Sequence, residues 1–231
     1  MKINSKKFTS NANYLDDYEL FIFDCDGTLV DSMGMWGNLT YDFAKYKGIV
    51  APEGLARIMN SLSLNQCAQY YVEKLGASGT VESVMKEITD FAAEGYVTRV
   101  PEKPNARKFL SWLKDNGKHI ALATASDISA LEPCLKKLGL FEFVEYAVSC
   151  ATVGKSKEHP DVYLNCVNHF GVPMSKAVVV EDALYSATTA KNAGFDLIVM
   201  KDACHSVSDL AKLAEISDVF ISDFAEIMPK A

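Results

Sequence analysis

The stretch Phe21-Ile22-Phe23-Asp24-Cys25-Asp26-Gly27-Thr28 decides how this 231-residue chain is read. Its first three residues form an unbroken apolar run, expected to end a strand buried on both faces. Side chains two apart on an extended chain point the same way, so Asp24 and Asp26 can face one site while Cys25 turns aside. Gly27 permits a sharp exit from such a crowded spot. Two converging carboxylates need positive charge between them, and magnesium, a hard ion that prefers oxygen ligands, fits that need. The competing reading is a structural turn, because Asp also stabilises turns and caps helices.

Outward from this point the chain alternates short apolar runs with helical patterns. A helix is expected from Pro104 to Asn116 with Gly117 as its stop, then a strand at His119–Ala123. A second helical stretch ends at Leu138-Gly139, and a strand follows at Val144–Val148. A helix begins near Pro160 and runs to Gly171. Ala177–Val180 reads as a strand, the pattern Leu184, Ala187, Ala190, Ala193 as a helix closed by Gly194, and Asp196–Met200 and Val219–Ser222 as further strands. Pro133 lies inside a helical pattern, so a kink or a restart near Glu132 is expected. The alternation predicts an α/β fold, a doubly wound, Rossmann-like parallel sheet with helices on both faces.

Residues 33–99 break this rhythm and carry no strand pattern. Leu64, Cys67, Ala68, Tyr71, Val72 and Leu75 fall at helical spacing behind a Ser63/Gln66 capping box. Val81, Val84, Ile88 and Phe91 repeat the pattern with Thr80 as N-cap. An all-helical cap domain over 33–99 is therefore expected, inserted into a core formed by 1–32 and 100–231, where it could serve as a lid.

Composition limits the partners. A net charge of −7, with 49% hydrophobic and 23% charged residues, disfavours nucleic acid or an anionic membrane as partner. The first twenty residues lack the apolar centre of a signal peptide and no stretch reaches the ~20 apolar residues of a membrane span, so a cytoplasmic protein is expected. The six cysteines are scattered without a Cys-x-x-Cys pair, and the four histidines offer no zinc spacing, so reduced thiols are expected. A monomer is the default state.

Ligands of open parallel sheets bind beyond the carboxyl ends of the strands. There stand Asp24 and Asp26 after the first strand, Thr124-Ala125-Ser126 after the second, and Glu181-Asp182 after Val178–Val180. A loop with two lysines, Gly154-Lys155-Ser156-Lys157, precedes the helix at Pro160. Carboxylates, hydroxyls and a lysine at one rim suit phosphoryl transfer, which needs positioning and charge neutralisation. Each has a plainer role available: Ser126 or Asp127 could cap a helix, either lysine could be solvated, and Glu181-Asp182 could complement a helix dipole.

Phe21 to Ser32 closely resembles the first motif of the haloacid dehalogenase superfamily of phosphotransferases, in the helical-cap branch that includes β-phosphoglucomutase and phosphoglycolate phosphatase. Thr124-Ala125-Ser126 resembles the second motif and Glu181-Asp182 the fourth, with Ala183 and Ser186 where Ser and Gly are usual. For the third, spacing from Pro160-Asp161 selects Lys157, while Gly154-Lys155 offers a rival. The resemblance implies Asp24 as nucleophile and Asp26 as general acid and base. It also implies Thr124 and Lys157 as contacts to the phosphoryl group. Magnesium would be held by Asp24, the backbone carbonyl of Asp26, and Asp182, with Glu181 and Ser126 supporting. Cys25 is expected to be a spectator whose thiol pKa is raised by the neighbouring carboxylates. Asp26 argues against dehalogenation, and Thr28 resembles the phosphatases where mutases of the branch often carry Val. The expected activity is hydrolysis of a small phosphorylated metabolite such as a sugar phosphate. A β-phosphoglucomutase-like phosphomutase is the alternative, and a catalytically silent binding module on the same scaffold is a further one. Trp36 and Arg57 are the candidate substrate residues of the cap.

Overall fold

The computed structural model describes residues 2–3, 14–59 and 62–229. Most of the amino-terminal stretch in which no leader is expected lies outside these residues. The chain divides into two compact units, Met1–Asp31 with Pro101–Ala231, and Ser32–Val100.

The first unit is built on a seven-stranded sheet. Its strands are β1 (Lys2–Ile3), β2 (Leu20–Phe23), β3 (His119–Thr124), β4 (Tyr146–Ser149), β5 (Ala177–Glu181), β6 (Asp196–Met200) and β7 (Val219–Ile221). They lie in the order β1-β7-β6-β5-β2-β3-β4. All pairs are parallel except β1 against β7, where Lys2 faces Phe220 and Ile3 faces Val219. The two-residue antiparallel edge is too short to leave a periodic signature and is not expected from the sequence. From β2 the chain winds outward through β3 and β4, then returns on the other side through β5, β6 and β7. That reversal makes the carboxyl end of β2 the topological switch point, where parallel sheets bind ligands.

All four residues of β2 are fully buried, as a central strand covered on both faces requires. On one face Phe21 and Phe23 pack edge-on against Phe109, and Phe23 also meets Phe224. On the other, Leu20 and Ile22 join Ala121, Val179, Leu197 and Tyr163 in one buried apolar cluster. Fully burying each Leu, Ile or Phe contributes roughly 1.5–3 kcal/mol, which anchors the strand that delivers Asp24.

The helices of this unit are α5 (Ala106–Asp115), α6 (Ile128–Lys137), the short α7 (Cys150–Val153), α8 (Asp161–Phe170), α9 (Leu184–Asn192) and α10 (Val207–Ile216). α5 begins two residues later than Pro104, because Asn105 adopts φ +58° there and its side chain donates to Asp223 Oδ1 at 2.8 Å. Of the two outcomes expected at Pro133, a kink or a restart near Glu132, the restart does not occur, and α6 runs through the proline as one helix. The missing proline amide removes one hydrogen bond, but the buried face of Leu131, Cys134 and Leu135 keeps the flanking turns in one helix. The fourth strand starts two residues after Val144, because Phe141–Phe143 forms a 3-10 turn that receives the Val144 amide. α10 is absent from the sequence reading, although Ser206 caps it through the Asp209 amide.

Among the described residues of Ser32–Val100 the regular elements are all helices: α1 (Met33–Tyr46), α2 (Leu55–Met59), α3 (Leu64–Glu73) and α4 (Val81–Arg99), joined by turns and loops. Its own core holds Phe43, Leu55, Ala68, Tyr71, Val84 and Ile88. The Ser63/Gln66 capping box forms, and Thr80 makes a second one with Ser83. α3 stops before Leu75, and Leu64 is exposed, so the buried stripe is narrower than the six-residue pattern.

Within the first unit, the segments on either side of the insertion are stitched together. Asp31 N–H donates to Pro101 O at 2.9 Å, and Lys103 N–H donates to Leu29 O at 2.8 Å. Lys103 is buried, with its ammonium 3.1 Å from Asp31 and 2.5 Å from Asp202.

Candidate active site

The chain stops being extended at Asp24. Asp24 N–H still donates to Val180 O at 2.9 Å, continuing the sheet ladder by one residue. The carbonyl of Cys25 then accepts from the amides of Leu29 at 2.9 Å and Val30 at 3.0 Å, curling 25–30 into a tight loop. Gly27 turns this loop with φ +84°, and a Cβ there would lie 2.2 Å from Asp182 Oδ2. Glycine is therefore required twice, for conformation and for room. Because of the curl, the period-two rule that aligns Asp24 with Asp26 ends with the strand.

The carboxylate of Asp24 is instead gathered with those of Glu181, the last residue of β5, and Asp182. One oxygen from each lies within 4.8 Å of the others, and all three residues are buried. Lys157, at 2% exposure, places its ammonium against Asp24 Oδ1 and 2.7 Å from Glu181 Oε1. Lys155 is exposed and pairs with Asp161 at 2.8 Å. Of the two lysines, Lys157 is thus the one brought to the acids.

Glu181 has no acceptor capacity to spare. Its Oε1 receives Lys157 and the Tyr163 hydroxyl at 2.7 Å each, and its Oε2 receives Ser186 Oγ at 2.9 Å and the Asp182 amide at 3.3 Å. It acts as a hub that fixes the ammonium and the chain at Asp182. Ser186 stands where the fourth motif usually has glycine, and its hydroxyl supplies a donor to this hub. Asp182 is held more lightly, by Thr28 Oγ1 at 3.3 Å on Oδ1 and His205 Nε2 at 3.1 Å on Oδ2.

Burial pushes the carboxyl of Asp24 upward, with Glu181, Asp182 and Asp26 adding to it, while Lys157 opposes them. Burial likewise raises Asp182 against the His205 hydrogen bond. For Lys157, burial disfavours the charge, but Asp24 and Glu181 outweigh it and hold the ammonium above the ordinary lysine range. Three carboxylates share one ammonium in a buried space, so ionising all of them would leave negative charge uncompensated. Such a set of hard oxygen donors fits a divalent cation, which would offset the cost of burying like charges.

Asp26 lies outside this triad. Its carboxylate is half-buried and accepts from Ser126 Oγ at 2.7 Å. Thr124, the buried last residue of β3, accepts the Ser126 amide on its Oγ1 at 3.0 Å and so fixes the loop that carries that hydroxyl. The cap of α6 is Asp127, whose carboxylate accepts the Ser129 amide at 2.8 Å. Cys25 is fully buried, and burial raises its thiol pKa first, with Asp26 and Asp24 adding to it. All six cysteines are free.

Trp36 and Arg57 belong to the helical unit. Trp36 donates its indole N–H to the Tyr96 hydroxyl at 2.9 Å and meets that ring edge-on, and Arg57 is exposed on α2. Sequence reasoning missed Tyr163 and His205. Tyr163 reads as one more apolar position on α8, and His205 lies outside every motif.

A family model described as haloacid dehalogenase-like hydrolase matches residues 18–194. The chain is 26% identical to the phosphorylated carbohydrates phosphatase of Thermotoga maritima, over 91% of this chain and 96% of that protein. It is 26% identical to hexitol phosphatase B of Escherichia coli, over 90% and 94%. A solved structure from Thermotoga maritima, provisionally assigned as a β-phosphoglucomutase, superposes with a TM-score of 0.76 at 23% identity, over 90% of this chain and 96% of that one. The first motif, the sheet order and the match from 18 to 194 agree: this chain belongs to the haloacid dehalogenase-like hydrolases.

Proposed function

We propose that this protein is a magnesium-dependent phosphatase that hydrolyses a small organic phosphate monoester of the sugar phosphate class through an aspartyl-phosphate. The observation that carries this reading is that the two aspartates have different partners. Asp24 lies against Lys157 beside two further buried acids, while Asp26 accepts the Ser126 hydroxyl. The two relatives named as sugar and hexitol phosphate phosphatases support the substrate class.

In this mechanism an oxygen of Asp24 attacks phosphorus as the bond to the leaving oxygen breaks, and Asp26 gives that oxygen its proton. Asp26 then takes a proton from water, whose oxygen attacks the phosphorus and breaks the bond to Asp24. Free phosphate and the starting carboxylates result. Lys157 supports the ionised nucleophile and neutralises charge on the transferring group, which Thr124 helps to orient. Asp24, Asp182 and the backbone carbonyl of Asp26 would hold magnesium, and Glu181 would brace the site. When bound, the ion supplies positive charge to the phosphoryl oxygens. Substrate choice is assigned to the helical unit as a cap, with Trp36 and Arg57 as its first candidates.

The test is phosphate release from p-nitrophenyl phosphate with magnesium, followed by a panel of sugar phosphates. Asp24→Asn is expected to lower the rate by about a thousandfold or more, as loss of a nucleophile does. Equal release by both proteins removes Asp24 as nucleophile. A rearranged sugar phosphate in place of free phosphate would identify a phosphomutase.

A further inference from the structure

We infer that His205 is a positioning residue for the metal-holding carboxylate of Asp182, an inference that rests on the reading of Asp182 just given. The two oxygens of Asp182 have different donors. Thr28 Oγ1 reaches Oδ1 at 3.3 Å from the loop after β2, and His205 Nε2 reaches Oδ2 at 3.1 Å from the loop after β6. Donors on both oxygens restrict rotation of the carboxylate plane. Lost rotation is what an acid must otherwise give up on binding an ion, so holding it beforehand strengthens binding.

The loop that carries His205 is itself anchored. Its first residue, Lys201, donates its amide to Ile221 O at 2.7 Å. Asp202 is 2% exposed, accepts the Cys204 amide on Oδ1 at 2.8 Å, and accepts Lys103 Nζ on Oδ2 at 2.5 Å. Ser206 then caps α10. The imidazole is thus delivered from a fixed turn between β6 and α10, with its side chain 15% exposed. A histidine that merely filled space would need neither the pinned turn nor a ring nitrogen aimed at Oδ2.

Magnesium binding to metal-free protein by titration calorimetry, with manganese binding by electron paramagnetic resonance as a second readout, separates positioning from packing. His205→Phe keeps a ring and removes the donor, whereas His205→Gln keeps an N–H donor. His205→Phe is expected to weaken the magnesium dissociation constant by about 10- to 100-fold, the usual effect of removing an outer hydrogen-bond partner. His205→Gln is expected to stay within about threefold of the parent, a rescue that simple packing does not predict. Asp182→Asn is the control for the underlying reading. If Asp182→Asn loses magnesium while His205→Phe binds as the parent does, the inference fails and the reading of Asp182 stands. If Asp182→Asn binds magnesium unchanged, that reading fails first. Equal weakening by Phe and Gln also overturns the inference, since a donor would then not be what matters.

Discussion

The hydroxyl of Ser126 donates to Asp26 Oδ2 at 2.7 Å across 100 residues of sequence. This contact ties the loop after β3 to the loop after β2 and gives Asp26 a hydroxyl donor, whereas the triad of Asp24, Glu181 and Asp182 gathers around Lys157. A hydrogen bond contributes roughly 0.5–1.5 kcal/mol when both partners are neutral and about 1.5–3 when one is charged. Ser126→Ala is accordingly expected to lower kcat/KM for p-nitrophenyl phosphate by about 10- to 100-fold, with the fold intact by circular dichroism. An unchanged kcat/KM would show that Asp26 needs no help from Ser126.

Lys157 and Lys155 should behave oppositely despite standing two residues apart. Removing the buried partner leaves Asp24 and Glu181 without their ammonium, so Lys157→Met is expected to cost about 3–5 kcal/mol in urea denaturation of the metal-free protein. Magnesium should recover part of that loss by binding only the native state. Lys155→Ala, at an exposed pair, should stay within about 0.5 kcal/mol and keep its activity. Comparable losses in both variants would contradict the burial difference.

Gly27 can be compared with Gly117, which has φ +68° and no atom within 4 Å of an added Cβ. Gly117→Ala should cost about 1 kcal/mol from backbone strain alone and leave activity unchanged. Gly27→Ala carries the same strain and also drives a methyl group against Asp182, so it should abolish both magnesium binding and phosphate release. Calorimetry and p-nitrophenyl phosphate assays on the two variants check this. Magnesium binding preserved in Gly27→Ala would show that the loop can yield.

The Lys103–Asp202 pair should stabilise the protein over a wide pH range. Burial acts to raise Asp202, but hydrogen bonds from Cys204 and Lys103 outweigh it and leave its carboxyl below the usual range. Burial acts to lower Lys103, but Asp202 and Asp31 hold it above the usual range. A depressed aspartate contributes above its unfolded pKa and loses that contribution as pH falls through the folded one. A raised lysine contributes below its unfolded pKa and loses it as pH rises through the folded one. The stability difference between the parent and Lys103→Met/Asp202→Asn should therefore be flat from about pH 5 to 9 and shrink below about pH 4. A step between about pH 6 and 7 in urea titrations would point to a histidine instead.

Much of the fold is legible in the sequence. Phe21-Ile22-Phe23 announced a strand buried on both faces, because both alternating sets of side chains are apolar. Ser63/Gln66 announced a helix start, because that pair satisfies orphan amides within four residues. α10 was missed despite its capping serine, and the unbroken α6 was masked by Pro133, whose local cost is overruled by packing of its neighbours.

By itself, the sequence determined which chemical groups stand at the ends of β2, β3 and β5, since side-chain periodicity and turn chemistry are local properties. Tertiary structure alone decided which of those groups meet. It gathered Asp24 with Glu181 and Asp182, gave Asp26 to Ser126, set the Lys157 that the motif spacing selects on those acids, and brought Tyr163, Ser186 and His205 to them. The reason is physical. Each carboxylate oxygen accepts from whatever donor the packed sheet and loops bring within about 3 Å, and most of those donors lie far away in the chain.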